Sequence, residues 1–293
     1  MSTGYAPGKI ILSGEYAVVF GYPGIAIPAP IGITAEFFED VSCDGVEIRI
    51  EGDDTAVRAY AEKIVTLCQV RKRQGGRLSI KWDLPLWKGM GSSTAFVVAI
   101  SRALLGEDRV AALAIEDALN PGHSGLDFTT IWESSPVLFK KGTESTYLEL
   151  SSDLLKNAVL IDTGFPSDST PQLVAWMKSR EHEVEDSLRV IGECADRIVK
   201  GEDLKKVIRD HHRAQLALGV VPQDVTDMIA EIESVGGAAK VIGAGSRMGG
   251  AGMVLALGDG GTIIHKVAEK RRMRTNRLHK QSCFYRFSCR QLF

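Results

Sequence analysis

The chain has 293 residues, 44% hydrophobic and 25% charged, with a formal net charge of −2. That is the composition of a globular chain with enough length for one large domain or two ordinary ones, and it excludes low-complexity and collagen-like classes. No apolar run approaches the roughly 18–20 residues of a membrane span, and the N-terminal Met-Ser-Thr-Gly-Tyr predicts no signal peptide.

The charge is unevenly spread. From Lys270 onward there are eight Lys or Arg and no acidic residue, which leaves 27 basic against 37 acidic residues before it. An acidic body predicts no nucleic-acid partner. The five cysteines (43, 68, 194, 283, 289) are scattered without a Cys-x-x-Cys pair, so neither a zinc site nor a disulfide framework is expected, and a reducing cytoplasmic location is the default. His211-His212 reads as a solvated helix position.

In chain order, Tyr5–Val19 reads as a strand, a turn and a second short element, with Gly8, Gly14 and Gly21 among apolar strand formers and Lys9 and Glu15 as its charges. On its own Lys9 reads as a solvated edge residue. Ile31–Asp40 and Val46–Glu51 are β-like. Ala56–Val70 has helical spacing. Arg77–Asp83 alternates as a strand and feeds Pro85-Leu-Trp-Lys-Gly-Met-Gly-Ser-Ser-Thr-Ala95, which opens into an apolar helix through Leu105. Gly89 and Gly91 allow a tight turn, and the helix start offers free N–H groups and a positive dipole end, which suits a phosphate. A helix N-cap at Ser92 or Ser93 explains the same residues equally well.

Val110–Leu119 is a second helix carrying Glu116, stopped by Asn120-Pro121-Gly122. His123-Ser-Gly-Leu-Asp127 and Phe128-Thr-Thr130 follow, then a hairpin of Val137–Lys141 and Ser145–Leu150 and a strand Ala158–Asp162. Residues 170–180, 183–200, 203–217 and 223–235 are helical. Ala239–Ile242, a glycine-rich turn, Gly252–Leu257 and Thr262–Glu269 close the second half. Strand-rich sequence gives way to helix-rich sequence near 150–160, so an α+β chain in two parts is expected, 1–155 and 156–293.

Three glycine-bearing stretches stand far apart, at 6–21, 85–95 and 240–252. None fits the Walker pattern, and Gly243-Ala-Gly245-Ser-Arg-Met lacks the third glycine of a dinucleotide fingerprint. In order, Ala6-Pro-Gly-Lys9 through Gly14-Glu15, Gly89-Met-Gly-Ser-Ser-Thr-Ala95 and Lys240-Val-Ile-Gly-Ala-Gly245 resemble the three signature motifs of the GHMP kinases (galactokinase, homoserine, mevalonate and phosphomevalonate kinases). The likeness spans roughly residues 5–257. Within the superfamily the mevalonate-kinase branch is nearest, through residues 14–26, Ser124-Gly-Leu-Asp127 and Asp162-Thr-Gly164 with Ser169-Thr170. Two departures stand out: Tyr16 follows Glu15 where that branch usually has His, and Ser246-Arg-Met is inserted before Gly249-Gly250.

The resemblance implies a two-domain α+β fold, with an N-terminal ribosomal-protein-like domain, a C-terminal ferredoxin-like domain, and the active site between them. It implies ATP-dependent phosphorylation of the primary hydroxyl of mevalonate, with phosphomevalonate or another small molecule as rival acceptor and a catalytically silent binding module as the reading from another class. Lys88, Gly89, Met90, Gly91, Ser92, Ser93 and Thr94, with Gly243 and Gly245, would hold ATP. Ser93 and Glu116 would hold Mg²⁺. Asp127 would accept or orient the proton of the attacking hydroxyl, and Lys9 would polarise it. Glu15, Tyr16 and Thr163 would touch the substrate. A homodimer is compatible with the resemblance, and no membrane partner is expected. For the atypical tail, 271–293, three readings stay open: an altered C-terminus, a basic arm, and a real strand at Cys283–Phe287.

Overall fold

The computed structural model describes residues 1–51, 54–72, 75–150, 154–155, 157–258 and 262–277. The C-terminal part of the tail, with the strand expected at Cys283–Phe287, lies outside the described residues. Strand β1 (Ser2–Ser13) leads through a 3₁₀ turn (Ala17–Phe20) into β2 (Gly24–Glu39), followed by β3 (Val46–Ile50), helix α1 (Thr55–Arg71) and β4 (Gly76–Trp82). Helices α2 (Ser92–Leu105), α3 (Arg109–Leu119) and α4 (Leu126–Glu133) precede the short strands β5 (Val137–Phe139) and β6 (Thr146–Tyr147). The second half runs β7 (Val159–Asp162), α5 (Thr170–Ser179), α6 (Glu181–Val199), α7 (Leu204–Leu218), α8 (Gln223–Ser234), β8 (Ala238–Val241), β9 (Met253–Leu257), α9 (Thr262–Lys270) and β10 (Arg274–Arg277).

Two sheets result. In the first, β2 is the spine, pairing antiparallel with β1, β4 and β5, while β3 joins β4 in parallel. The second is antiparallel in the order β10-β7-β9-β8, so the first residues of the basic tail complete an edge of it. β2 begins seven residues before the β-like run in the sequence, because Pro28 and Pro30 mask its start. Pro28 is tolerated because it stands opposite Lys9, where the β1–β2 register shifts and the ladder is already broken. Helix α4 also escapes pattern reading: it has only eight residues, rich in β-branched and aromatic side chains.

Helix α2 is buried almost all round, with Thr94 through Ser101, Ala103 and Leu104 inside, as expected for a helix that is apolar on every face. It packs directly on β1. A Cβ on Gly4 would stand 2.1 Å from the carbonyl oxygen of Ala99, so only glycine lets strand and helix approach so closely. One apolar cluster joins residues of both sheets, including Ile10, Leu12 and Phe96 with Val207, Ile242 and Met253. Among the described residues no helix is long and apolar enough to cross a membrane.

Gly4→Ala should therefore destabilise the protein by about 1–3 kcal/mol through overpacking, read as a lower midpoint in urea at unchanged slope.

Candidate active site

The centre of the site is the ammonium of Lys9, which the structure buries to 3% exposure and so removes from the solvated edge that β-strand propensity alone suggests. The register shift between Pro7 and Lys9 bulges β1 here. It frees the Lys9 N–H to donate to the Met90 carbonyl at 2.9 Å instead of to β2. The side chain then donates from Nζ to the Gly89 carbonyl at 3.0 Å and pairs with Asp127 Oδ1 at 3.3 Å. Asp127 sits in the first turn of α4, where the helix dipole favours a carboxylate.

The glycine loop ends in Gly91, a left-handed N-cap for α2 that brings no side-chain hydrogen bond. This resolves the sequence ambiguity against a serine cap. The Ser92 hydroxyl instead accepts from the Trp87 N–H at 3.0 Å, shaping the loop, and Ser93 lies half-buried beside it. The first-turn N–H groups of α2 thus carry no side-chain cap, the arrangement that binds an anion.

Two further groups frame this helix start. The Thr94 hydroxyl, one residue beyond Ser93, donates to Glu116 Oε1 at 2.7 Å. Glu116 is buried, its other carboxylate oxygen has no hydrogen-bond partner, and burial pushes its pKa up, with Asp127 adding to the rise. A divalent cation fits that orphaned oxygen. It would take Glu116 with a neighbouring hydroxyl, Ser93 or Thr94, and phosphate oxygens and waters. On the other flank, Lys88 Nζ meets Asp162 Oδ2 at 2.6 Å beneath the ring of Phe165.

The third glycine stretch closes over the second. A Cβ on Gly243 would stand 2.7 Å from the Gly89 Cα, so the two loops meet backbone to backbone. A Cβ on Gly245 would stand 2.2 Å from the Val220 carbonyl oxygen, so this glycine too marks a close backbone approach. Ser246-Arg-Met fastens the stretch to residues 167–168. Arg247 pairs with Asp168, Ser246 Oγ accepts from the Ser167 N–H at 3.0 Å, and hydrogen bonds from Arg247 hold the Asp168 carboxyl at about 2.

The three residues read as substrate contacts are engaged by the protein. Glu15 is 3% exposed and pairs with Lys240 and His211, and the Tyr16 hydroxyl donates to the Ala244 carbonyl. The Thr163 hydroxyl donates to the Gly252 carbonyl at 2.8 Å and accepts from the Ala251 N–H at 2.9 Å. His211 and His212 are buried in α7, contrary to the solvated reading; burial pushes both down, His212 to about 4, so each is a neutral imidazole near pH 7. Thr94's tie to Glu116 and the Asp162 partner of Lys88 were not legible as pairs, since each joins residues on different elements.

No family model matches the chain. Seven curated relatives do, at 25–29% identity, and each is named mevalonate kinase. That of Thermococcus sibiricus is 27% identical over 300 residues, covering 86% of this chain and 87% of its own. Among solved structures, the mevalonate kinase of Methanococcus jannaschii superposes with a TM-score of 0.78 at 18% identity, covering 94% of this chain and 96% of its own. The phosphomevalonate kinase of Streptococcus pneumoniae, in complex with phosphomevalonate and AMPPNP, does so at 0.72 and 14%, covering 94% and 100%. The fold is that of the GHMP kinases, and the sequence similarity lies with mevalonate kinases.

The raised Glu116 pKa gives a signed expectation. Its contribution to stability is present below the ordinary carboxylate range and is lost as pH rises through its own elevated value; above that range the native state bears a cost for the group. Glu116→Gln should therefore raise the melting temperature at neutral pH by about 1–3 °C, while abolishing any dependence of nucleotide affinity on divalent cation. A fluorescence titration with and without the cation reads the second effect.

Proposed function

We propose that this protein transfers the γ-phosphoryl group of ATP to the primary hydroxyl of mevalonate, giving 5-phosphomevalonate and ADP. The observation that carries the reading is the Lys9 ammonium, buried between the Gly89 carbonyl of the phosphate loop and the carboxylate of Asp127. That arrangement sets a carboxylate and an ammonium beside an uncapped helix start, the groups that transfer of a phosphoryl group to an alcohol needs. The named relatives supply the acceptor: all seven matching ones are mevalonate kinases.

Phosphoryl transfer passes through a loose transition state in which positioning and charge stabilisation do most of the work. The backbone of 89–91 and the first turn of α2 hold the phosphate oxygens. Asp127 takes the hydrogen bond of the acceptor hydroxyl and receives its proton as the new P–O bond forms. Lys9 stabilises the charge that develops on the attacking oxygen. Lys88, on the far side of Gly89, faces the same loop with Asp162 as its counter-charge. Magnesium, bound at Glu116 and the neighbouring hydroxyls, would neutralise phosphate charge. Residues 1–155 and 156–293 are the two parts between which this chemistry takes place, in the reducing cytoplasm.

Phosphomevalonate as acceptor would need cations spare for a second phosphate. The four cations of the three glycine stretches are Lys9, Lys88, Lys240 and Arg247, and each has a carboxylate partner: Asp127, Asp162, Glu15 and Asp168. That pairing favours the acceptor without a phosphate.

ADP release with Mg-ATP should be seen with mevalonate and not with phosphomevalonate; turnover on the phosphate alone would overturn the assignment. Asp127→Ala should cut kcat by at least about a thousandfold while leaving the affinity for an ATP analogue within about twofold. Wild-type-like turnover would remove Asp127 from the chemistry.

A further inference from the structure

Behind Lys9 lies a second set of charges that the transfer step does not use. Glu15, Lys240 and His211 come from the turn after β1, from β8 and from α7, and each is at most 3% exposed. Lys240 Nζ pairs with Glu15 Oε1 and also donates to the Ile11 carbonyl at 3.0 Å, two residues from Lys9 on the same strand. His211 Nε2 lies 2.9 Å from the other carboxylate oxygen. Burial alone would raise the Glu15 pKa, but the neighbouring cationic Lys240, with the His211 ring beside it, outweighs that and holds the group at about 2.

The next residue repeats the connection. Tyr16 has φ 63°, a conformation that costs a non-glycine residue energy, and in it the phenol reaches the Ala244 carbonyl. Burial pushes the phenol pKa up, so it stays a donor. Both residues that follow Gly14 are thus fastened to the third glycine stretch. That stretch rests on Gly89 through Gly243, and Gly89 accepts from Lys9. The contacts close a ring: Lys9 and Ile11 on β1, Glu15 and Tyr16 on the turn, Lys240 and Ala244, Gly243, Gly89, and back to Lys9.

We infer that Glu15 and Tyr16 are positioning residues: they clasp the first glycine stretch to the third and thereby hold Lys9 opposite Asp127, and they do not ligate the acceptor. The inference rests on the phosphoryl-transfer reading. It also means that Tyr16, where the mevalonate-kinase branch usually has His, does not choose between acceptors.

Glu15→Gln alone would leave the Lys240 ammonium buried without a counter-charge and risks unfolding. The test therefore uses the neutral double variant Glu15→Gln/Lys240→Met, for which replacement of a buried pair is often tolerated, and separately Tyr16→Phe. Each is expected to lower kcat about tenfold or more, since a small misplacement of a catalytic group is costly. The KM for mevalonate and the affinity for an ATP analogue should stay within about twofold. A raised mevalonate KM at unchanged kcat would make these residues acceptor ligands and overturn the inference; so would kcat equal to wild type. Hydrogen exchange needs no acceptor. In Tyr16→Phe it should quicken at residues 240–245, and unchanged exchange there would overturn the clasp. If wild type turns over phosphomevalonate instead, the function reading fails, and the same kcat-against-KM comparison is made on that acceptor.

Discussion

Burying one ammonium is the constraint from which the rest of the site follows. A lysine removed from water costs several kcal/mol unless its donors are matched and its charge is paired. Lys9 meets that demand with the Gly89 carbonyl and the Asp127 carboxylate. The first contact requires the glycine loop to lie against β1, which in turn requires the bulge that turns the Lys9 N–H toward Met90. The second requires α4 to start where its first turn can present Asp127. The glycine loop, the first turn of α4 and β1 are brought together by the satisfaction of a single side chain.

Close backbone contact does the remaining work. Gly4 lets α2 seat on β1, and Gly89 against Gly243 lets the third glycine stretch close over the second. Neither contact tolerates a Cβ, so the glycines of these stretches are as much spacers between pieces of chain as sources of turn conformation. Because the loops touch directly, whatever fixes the third stretch also fixes the second. The Thr163 and Tyr16 hydroxyls, both bonded to carbonyls of the third stretch, serve that end.

The buried charges illustrate two uses of the same physics. Glu15 is buried with the Lys240 ammonium against one of its carboxylate oxygens, a fastener whose charge is compensated and whose pKa is held down to about 2. Glu116 is buried with one oxygen unmatched and its pKa pushed up, a state that costs stability and leaves a place for a cation.

The amino-acid sequence by itself determined the order and spacing of the three glycine stretches, the apolar helix after the second, and the run of helices through the second half. Those are local patterns: turn chemistry, period and residue type within a short window. Only the tertiary structure decided which groups meet. Thr94, not Ser93, bonds Glu116. Glu15 and Tyr16 reach residues more than 220 positions away, and His211, whose position reads as solvated from the sequence, is buried beside Glu15. Periodicity reports which face of an element is apolar; it carries no information about which distant charge will be brought against a polar side chain. That pairing is set by how two sheets and a central helix pack, and the free energy of burying charge makes it specific.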